Sequence, residues 1–180
     1  MSNIQQFKGQ FQGGARPNLF EVEINFPAAV IGATRARALS RFLIKGAQLP
    51  ASIIAPIEVP YRGRKLKVAG DRTFEPWTIT VINDVDMEIR NAFESWMNLI
   101  NRHTSNTTAT PGLNYYQDLL VSQLNRDSGP SDATKQYTFI DAFPTNISAI
   151  DINYETNDAV EEFTVELNYQ YWTSGESTNQ

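Results

Sequence analysis

The sequence predicts a mainly β domain: a barrel or sandwich with one flanking helix and one long protruding loop. Three features carry this expectation. Several stretches alternate apolar and polar residues with the period of half-buried strands, most strictly from Val160 to Trp172. One stretch, about Asp86 to His103, repeats its apolar residues at helical spacing. Between Gly46 and Asp71, by contrast, Pro50, Pro56 and Pro60 exclude a central strand. The chain has 180 residues, which suits one domain able to bury roughly 70% of its unfolded surface.

Taken in order, residues 1–17 form a polar arm with Gly9, Gly13 and Gly14, ended by Pro17. Residues 18–172 form the single domain. Phe20, Val22, Ile24 and Phe26 alternate with Glu21, Glu23 and Asn25, as in a strand closed by Pro27. Ala28 to Ala38 is expected as a loop of small residues, and Leu39 to Lys45 as a second strand. The 46–71 segment is read as a loop with a basic hairpin, Arg62-Gly63-Arg64-Lys65-Leu66-Lys67. Ile53, Ile54, Ile57, Val59 and Tyr61 are too apolar for a loop left in water. Loops beyond about 15 residues are uncommon and often functional. Two readings stand: the segment covers a neighbour, or it folds back over its own sheet.

Phe74 to Ile82 reads as a strand with Trp77, Ile79 and Val81 on one face. In the helix that follows, Asp84 or Asp86 caps the N-terminus, and Asp86 and Glu88 favour its positive end. Ile89, Phe93, Trp96, Met97 and Ile100 make the packing stripe, opposite Arg90, Asn91, Glu94, Ser95 and Asn98. A Thr/Asn-rich loop fills 104–114. Strands are expected at Leu119–Asn125, Gln136–Ala142, Ile147–Tyr154 and Val160–Trp172, with turns at Asp127–Pro130 and near Asn157-Asp158. Residues 173–180 trail off as a polar tail.

Composition excludes several kinds of chemistry. The absence of Cys removes disulfide scaffolds, thiolate nucleophiles and nearly all structural zinc sites, and a single His removes multi-histidine metal clusters. The net charge of −5 argues against a general nucleic-acid binder. It also conceals a split: residues 1–80 carry eleven basic and five acidic side chains (+6), and residues 81–180 carry four and fifteen (−11). Segregated onto two faces, such charge favours head-to-tail association; if strands of both halves interleave, it averages out. No run approaches the roughly 18 apolar residues of a membrane-spanning helix. Met1 to Gly14 lacks the apolar core of a signal peptide, so the expectation is use without Sec-type export.

Candidate catalytic groups are sparse. His103 lies at the edge of the helical stripe with no Ser or Asp motif beside it, and reads better as a helix-terminal cation than as a general base. Asp84 and Asp86 lack the ligand ladder of a calcium loop. The basic run 62–67 has one adjacent aromatic, Tyr61, and reads as a solvated or interfacial hairpin before a nucleic-acid patch. No phosphate-binding or dinucleotide glycine pattern occurs.

Several segments, in order, resemble one family. They are Lys45-Gly46-Ala47-Gln48-Leu49-Pro50, Pro60-Tyr61-Arg62-Gly63-Arg64, Gly70 to Trp77, Arg90 to Trp96, Asp141-Ala142-Phe143-Pro144, Glu161 to Leu167 and Tyr169-Gln170-Tyr171-Trp172. Their joint order resembles the tail tube proteins of contractile-tailed bacteriophages. The resemblance implies a structural protein, related in fold to type VI secretion tube proteins, whose hexameric rings stack head to tail. It implies a shared inner barrel, a channel for DNA, and no catalytic residue, metal or cofactor. The partners it implies are further copies of the chain, the tail sheath protein, baseplate tube-initiation proteins, a tape measure protein in the lumen, a tail terminator, and DNA passing without specific binding. The implied location is the virion tail, after synthesis in the host cytoplasm.

On this reading the 46–71 segment makes contacts between subunits and rings, through Leu49, Ile53, Ile54, Ile57, Tyr61, Arg62, Arg64, Lys65, Lys67, Asp71 and Arg72. Asp151, Glu162, Thr164, Glu166 and Asn168, on polar strand faces, are expected to line the lumen, where carboxylates repel phosphate. The alternatives are a type VI secretion or tail-like bacteriocin tube, a soluble β-sandwich module binding a glycan through Tyr115, Tyr116 and Trp172, and an enzyme centred on His103.

Overall fold

Residues 3–11, 14–109, 112, 114–125, 133–155 and 157–175 are described by a computed structural model of the chain. The alternating segments fold as antiparallel strands. In hydrogen-bonded order these are β1 (Phe20–Glu23), β6 (Gln117–Leu124), β7 (Ala133–Ile147), β8 (Glu162–Asn168), β5 (Trp77–Ile82) and β2 (Ile44–Ala47), with β9 (Tyr171–Ser174) also on β7. Among the described residues the path is open, from β1 to β2, and does not close into a barrel.

β7 belongs to both parts of the sheet. Its first ten residues pair with β6, and its last five pair with β8. The change falls between Ala142 and Phe143, just after Asp141, whose φ of 54° turns the strand and whose N–H donates to Asp118 Oδ1 at 3.1 Å. Two sheets sharing one bent strand enclose the core between them. Ile79, Val81, Phe163, Val165 and Leu167 face Val22, Leu119, Val121 and Phe139 across it, all buried. Trp77 stacks on Phe139 at 4.2 Å between centroids.

Three helices are described where one was expected. The helix α3 (Glu88–Ile100) closes the core with Ile89, Phe93 and Trp96 buried and Met97 and Ile100 half-buried. Phe26 meets Phe93 and Trp96 edge-on. Asp84 caps α3, its Oδ1 accepting the Glu88 N–H at 2.9 Å. The helix stops at Ile100, so His103 lies beyond it.

The second helix, α2 (Ala33–Leu43), replaces the expected loop and most of the expected strand at 28–45. Ala, Arg and Leu are strong helix formers, and the inward positions Ala36 and Ser40 are small because α2 lies close against β1. The Ser40 hydroxyl accepts the Ile24 N–H at 3.1 Å and donates to the Arg37 carbonyl at 2.7 Å. Glu23, nearly buried, receives both Arg37 and Arg41 from α2. Burial works against the Glu23 carboxylate, but the hydrogen bonds from Arg41 and Arg37 outweigh it and hold its pKa below the usual value. Arg35 ties α2 to α3 through Glu88 at 3.2 Å.

Other expectations change in extent. The arm carries a helix, α1 (Ile4–Phe11). The strand expected at 136–142 lengthens into β7, which continues through Pro144 by a register shift before Asn146 and ends at Ile147, and the strand expected at 147–154 does not form. Ile150, Ile152 and Tyr154 alternate in sequence but have no strand beside them, and stay irregular. The final strand breaks at residues 169–170 into β8 and β9, so Thr173 and Ser174 are sheet rather than tail. The expected turn at 127–130 and residues 176–180 lie outside the described residues. The charge split is blended by topology, since β5 of the basic part pairs with β8 of the acidic part.

The 46–71 segment is not a loop. It forms a separate two-stranded ribbon, β3 (Ile53–Tyr61) and β4 (Arg64–Thr73), joined by Arg62 and Gly63. Both turn residues have positive φ, 45° and 79°, the requirement of a tight two-residue hairpin. The prolines fit because the ribbon has a free edge. Tyr61 and Arg64 close the turn as a hydrogen-bonded pair, so residues 60, 58 and 56 point their backbone nitrogens away from β4. Pro56 and Pro60 therefore remove donors that no partner strand uses.

Candidate assembly surfaces

The ribbon is exposed on both faces. All nine residues of β3 and all of β4 except Gly70 are open to water, so the segment does not fold back over its own sheet. Register sorts its side chains. Ile57 pairs with Val68, Val59 with Leu66 and Tyr61 with Arg64, which gives one face a continuous apolar surface. Glu58 pairs with Lys67 and Pro60 with Lys65 on the other, charged face, where Lys65 Nζ lies 2.5 Å from Glu58 Oε2. Tyr61 is 67% exposed and Leu66 61%. A lone two-stranded ribbon is marginal in water, and this one leaves its apolar face uncovered.

Its base is held. Trp77 Nε1 donates to the Gln48 carbonyl at 2.7 Å, and Trp172 Nε1 to the Ala51 carbonyl at 3.0 Å. Gly70 lies opposite the bulge at Ile54 and Pro56, where an added Cβ would come within 2.5 Å of the Ala55 carbonyl oxygen. Of the expected contact residues, Leu49, Ile53 and Ile54 are exposed near the base with Asp71 and Arg72, and Arg62 and Arg64 are at the tip. Leu66 and Val68 belong to the same surface but were hidden among the basic residues of the sequence; the hairpin register reveals them.

A second uncovered surface is α1. Ile4, Phe7 and Phe11 lie on one side at helical spacing, all more than half exposed, with the two Phe rings stacked at 5.3 Å. No residue of α1 is buried. An isolated helix of eight residues is marginal in water. The spacing of these three apolar residues was the signal that sequence reading passed over.

The polar side of the β2–β5–β8 sheet is a third surface. Glu162, Thr164 and Glu166 sit beside Ile82, Thr80 and Thr78, and Asn168 continues the row. Lys45 Nζ reaches Glu162 Oε1 at 2.6 Å. Asp151 is not on this row. It lines, with Glu162, a cleft of about 630 Å³ beyond the end of β8, walled by residues 149–154 and 159–162. Ile152, Tyr154 and Val160 stand exposed there.

His103 is exposed and lines a shallower cleft of about 470 Å³ with Met97, Ile100, Arg102 and Pro144. Among the described residues lining it there is no carboxylate, and the one hydroxyl, Thr145, donates to the Glu166 carbonyl at 3.1 Å; the His103 backbone N–H donates to Asn98 Oδ1 at 3.3 Å. The aromatic trio considered for a glycan is not assembled. Tyr115 and Tyr116 pack on each other and on Phe143, while Trp172 packs on Tyr137 and holds the ribbon base.

A sandwich with a closed core, carrying an uncovered apolar ribbon and an uncovered amphipathic helix, has the form of a structural subunit. Comparison with known proteins agrees. Residues 15–174 match the phage tail tube protein family, and the chain belongs to it. It is a structural component of a phage tail tube. The tail tube protein gp19 of Enterobacteria phage T4 is 34% identical over 164 residues, covering 90% of this chain and 94% of that protein. The tail tube protein of Serratia phage KSP90 is 28% identical over 172 residues, covering 94% and 95%. Among solved structures, a chain of the anti-feeding prophage tube-terminating cap superposes with a TM-score of 0.60 at 16% identity, covering 89% of each chain.

Proposed function

We propose that six copies of this chain close into a ring and that rings stack head to tail into the inner tube of a contractile phage tail, through which DNA leaves the virion. The observation that carries this reading is the apolar face of the β3–β4 ribbon, Ile57, Val59, Tyr61, Leu66 and Val68, left in water by its own chain. Burying such a face against a neighbour contributes about 25 cal/mol per Å² of apolar area. The open edges at β1, β2 and β9 give neighbouring subunits places to extend the sheet.

On this reading Glu162, Thr164, Glu166 and Asn168 face the lumen, while Asp151, off that row, stands in the cleft beside Glu162. Acidic and neutral polar groups there let phosphates pass without binding. The ribbon residues Leu49, Ile53, Ile54, Ile57 and Tyr61 meet a neighbour, as do Arg62, Arg64, Lys65, Lys67, Asp71 and Arg72. α1 orders on assembly in the same way. Sheath, baseplate initiator, tape measure protein and terminator are the expected further partners, and the protein performs no catalysis. The tube of a tail-derived injection particle has the same geometry; capsid genes beside this one would separate the two.

Electron microscopy of the concentrated protein tests the reading. Hollow tubes whose inner wall is the outer face of β8 are expected. Dispersed monomers at all concentrations, or tubes with that face on the outside, would contradict it.

A further inference from the structure

We propose that the ribbon of one subunit is received by the cleft at residues 149–162 of the next subunit along the tube. The inference rests on the head-to-tail reading above and names the two surfaces that meet.

Topology places them at opposite ends of the same strands. β4 leads through residues 74–76 into β5 at Trp77, so the ribbon leaves the sheet at the Trp77 end. The cleft lies at the other end, where Ile82 pairs with Glu162 and the Asn83 N–H donates to the Glu161 carbonyl at 2.9 Å. The ribbon leaves the sheet at the end opposite its own cleft, so a ribbon that enters the cleft comes from another copy. Two different surfaces at opposite ends make a heterologous contact, which repeats into an open stack. The nine residues of β3 give the ribbon a reach of about 30 Å.

Chemistry matches the two surfaces in both respects. The ribbon offers apolar side chains, and the cleft offers Ile152, 84% exposed, Tyr154, fully exposed, and Val160. The ribbon tip carries Arg62, Arg64 and Lys67, none of which forms an ion pair within the described residues. Segment 149–162 contains Asp151, Glu155, Asp158, Glu161 and Glu162 and no Lys or Arg. Of the other uncovered apolar surfaces, α1 carries Lys8 and no carboxylate, and so repels the tip. The exposed Ile31 and Val85 lie beside Asp86 and Glu88, whose carboxylates already face Arg35. The cleft segment joins exposed apolar groups to Asp151, Glu155 and Asp158, which form no ion pair within the described residues.

A charge swap tests this. Arg64→Glu with Lys67→Glu, and separately Asp151→Lys with Glu155→Lys, are expected to melt like the parent, because all four residues are exposed. Each pair should lower sedimentable polymer at least about tenfold through like-charge contact. All four substitutions in one chain should restore it. Normal polymer from either double variant would overturn the proposal, and so would failure of the fourfold variant to recover while the parent forms tubes.

A second measurement does not depend on electrostatics. The chain has no Cys, so Lys67→Cys and Asp151→Cys subunits can be co-assembled and oxidised. A disulfide-linked dimer found only in the mixture supports the contact, and its absence from well-formed mixed tubes opposes it. Failure of the parent to form tubes would instead remove the head-to-tail reading itself.

Discussion

Strands β8 and β3 differ in where their apolar side chains go. In β8, Phe163, Val165 and Leu167 are buried and the alternate residues face water. In β3, Ile57, Val59 and Tyr61 lie on one face just as regularly, yet nothing in the chain covers them. Both strands obey the same period. The difference teaches that the same period can serve two ends: β8 uses its apolar face to fold the subunit, whereas β3 leaves its face uncovered, as the proposed assembly contact requires.

The sharpest way to break that comparison is to cut one apolar side chain from the sandwich and one from the ribbon face that β3 shares with β4. Phe163→Ala should cost the free subunit about 3–5 kcal/mol, because it opens a cavity in a closed core. Leu66→Ala should change it by no more than about 0.5 kcal/mol, as an exposed site does, while weakening polymerisation. Denaturant unfolding and sedimentation read the two effects. Equal destabilisation would mean that the ribbon is part of the fold.

The next effect concerns the polar contact that docks α2. Glu23→Gln should destabilise the subunit by about 1.5–3 kcal/mol, the range for hydrogen bonds to charged groups, because Arg37 and Arg41 lose their carboxylate. The pH dependence has a fixed sign. The folded-state pKa of Glu23 is depressed, so its contribution is complete above the ordinary value of 4.5 and is lost as pH falls through the lower folded value. Thermal melts of parent and variant should converge on acidification; a gap that widens would contradict this account.

A backbone change at the ribbon should leave the subunit stable and spoil assembly. Gly70→Ala places a methyl 2.5 Å from the Ala55 carbonyl oxygen, so the bulge must shift and the apolar face must skew. The expected result is an unchanged melt with reduced polymer. The smallest effect belongs to Lys45 and Glu162, an exposed pair at 2.6 Å. Lys45→Ala should cost at most about 1 kcal/mol, and less in high salt. Chemical denaturation at two ionic strengths measures it.

Much of the sandwich was legible because its strands and α3 use large apolar residues at a clear period. Phe163, Val165 and Leu167, or Ile89, Phe93 and Trp96, announce a face wherever they occur. α2 was illegible for the opposite reason. Its close approach to β1 requires Ala36 and Ser40 on the buried side, and small residues leave little periodic signal. Ile150, Ile152 and Tyr154 show that alternation alone is insufficient, since a strand also needs a partner. Pro56 and Pro60 misled in another way. They exclude a central strand but suit the outer edge of a ribbon, and edge position is decided by tertiary structure. The ribbon's apolar character was visible in its composition, whereas the sorting of its two faces required the register.

The central claim is that the ribbon gains its stability between chains. Amide hydrogen exchange over residues 57–68, compared in free subunits and assembled tubes, tests it most directly. The account predicts weak protection in the free subunit, while β5 and β8 are already strongly protected, and a rise of at least about a hundredfold in the tube. Ribbon amides as protected in the free subunit as those of β8, or unchanged on assembly, would contradict it.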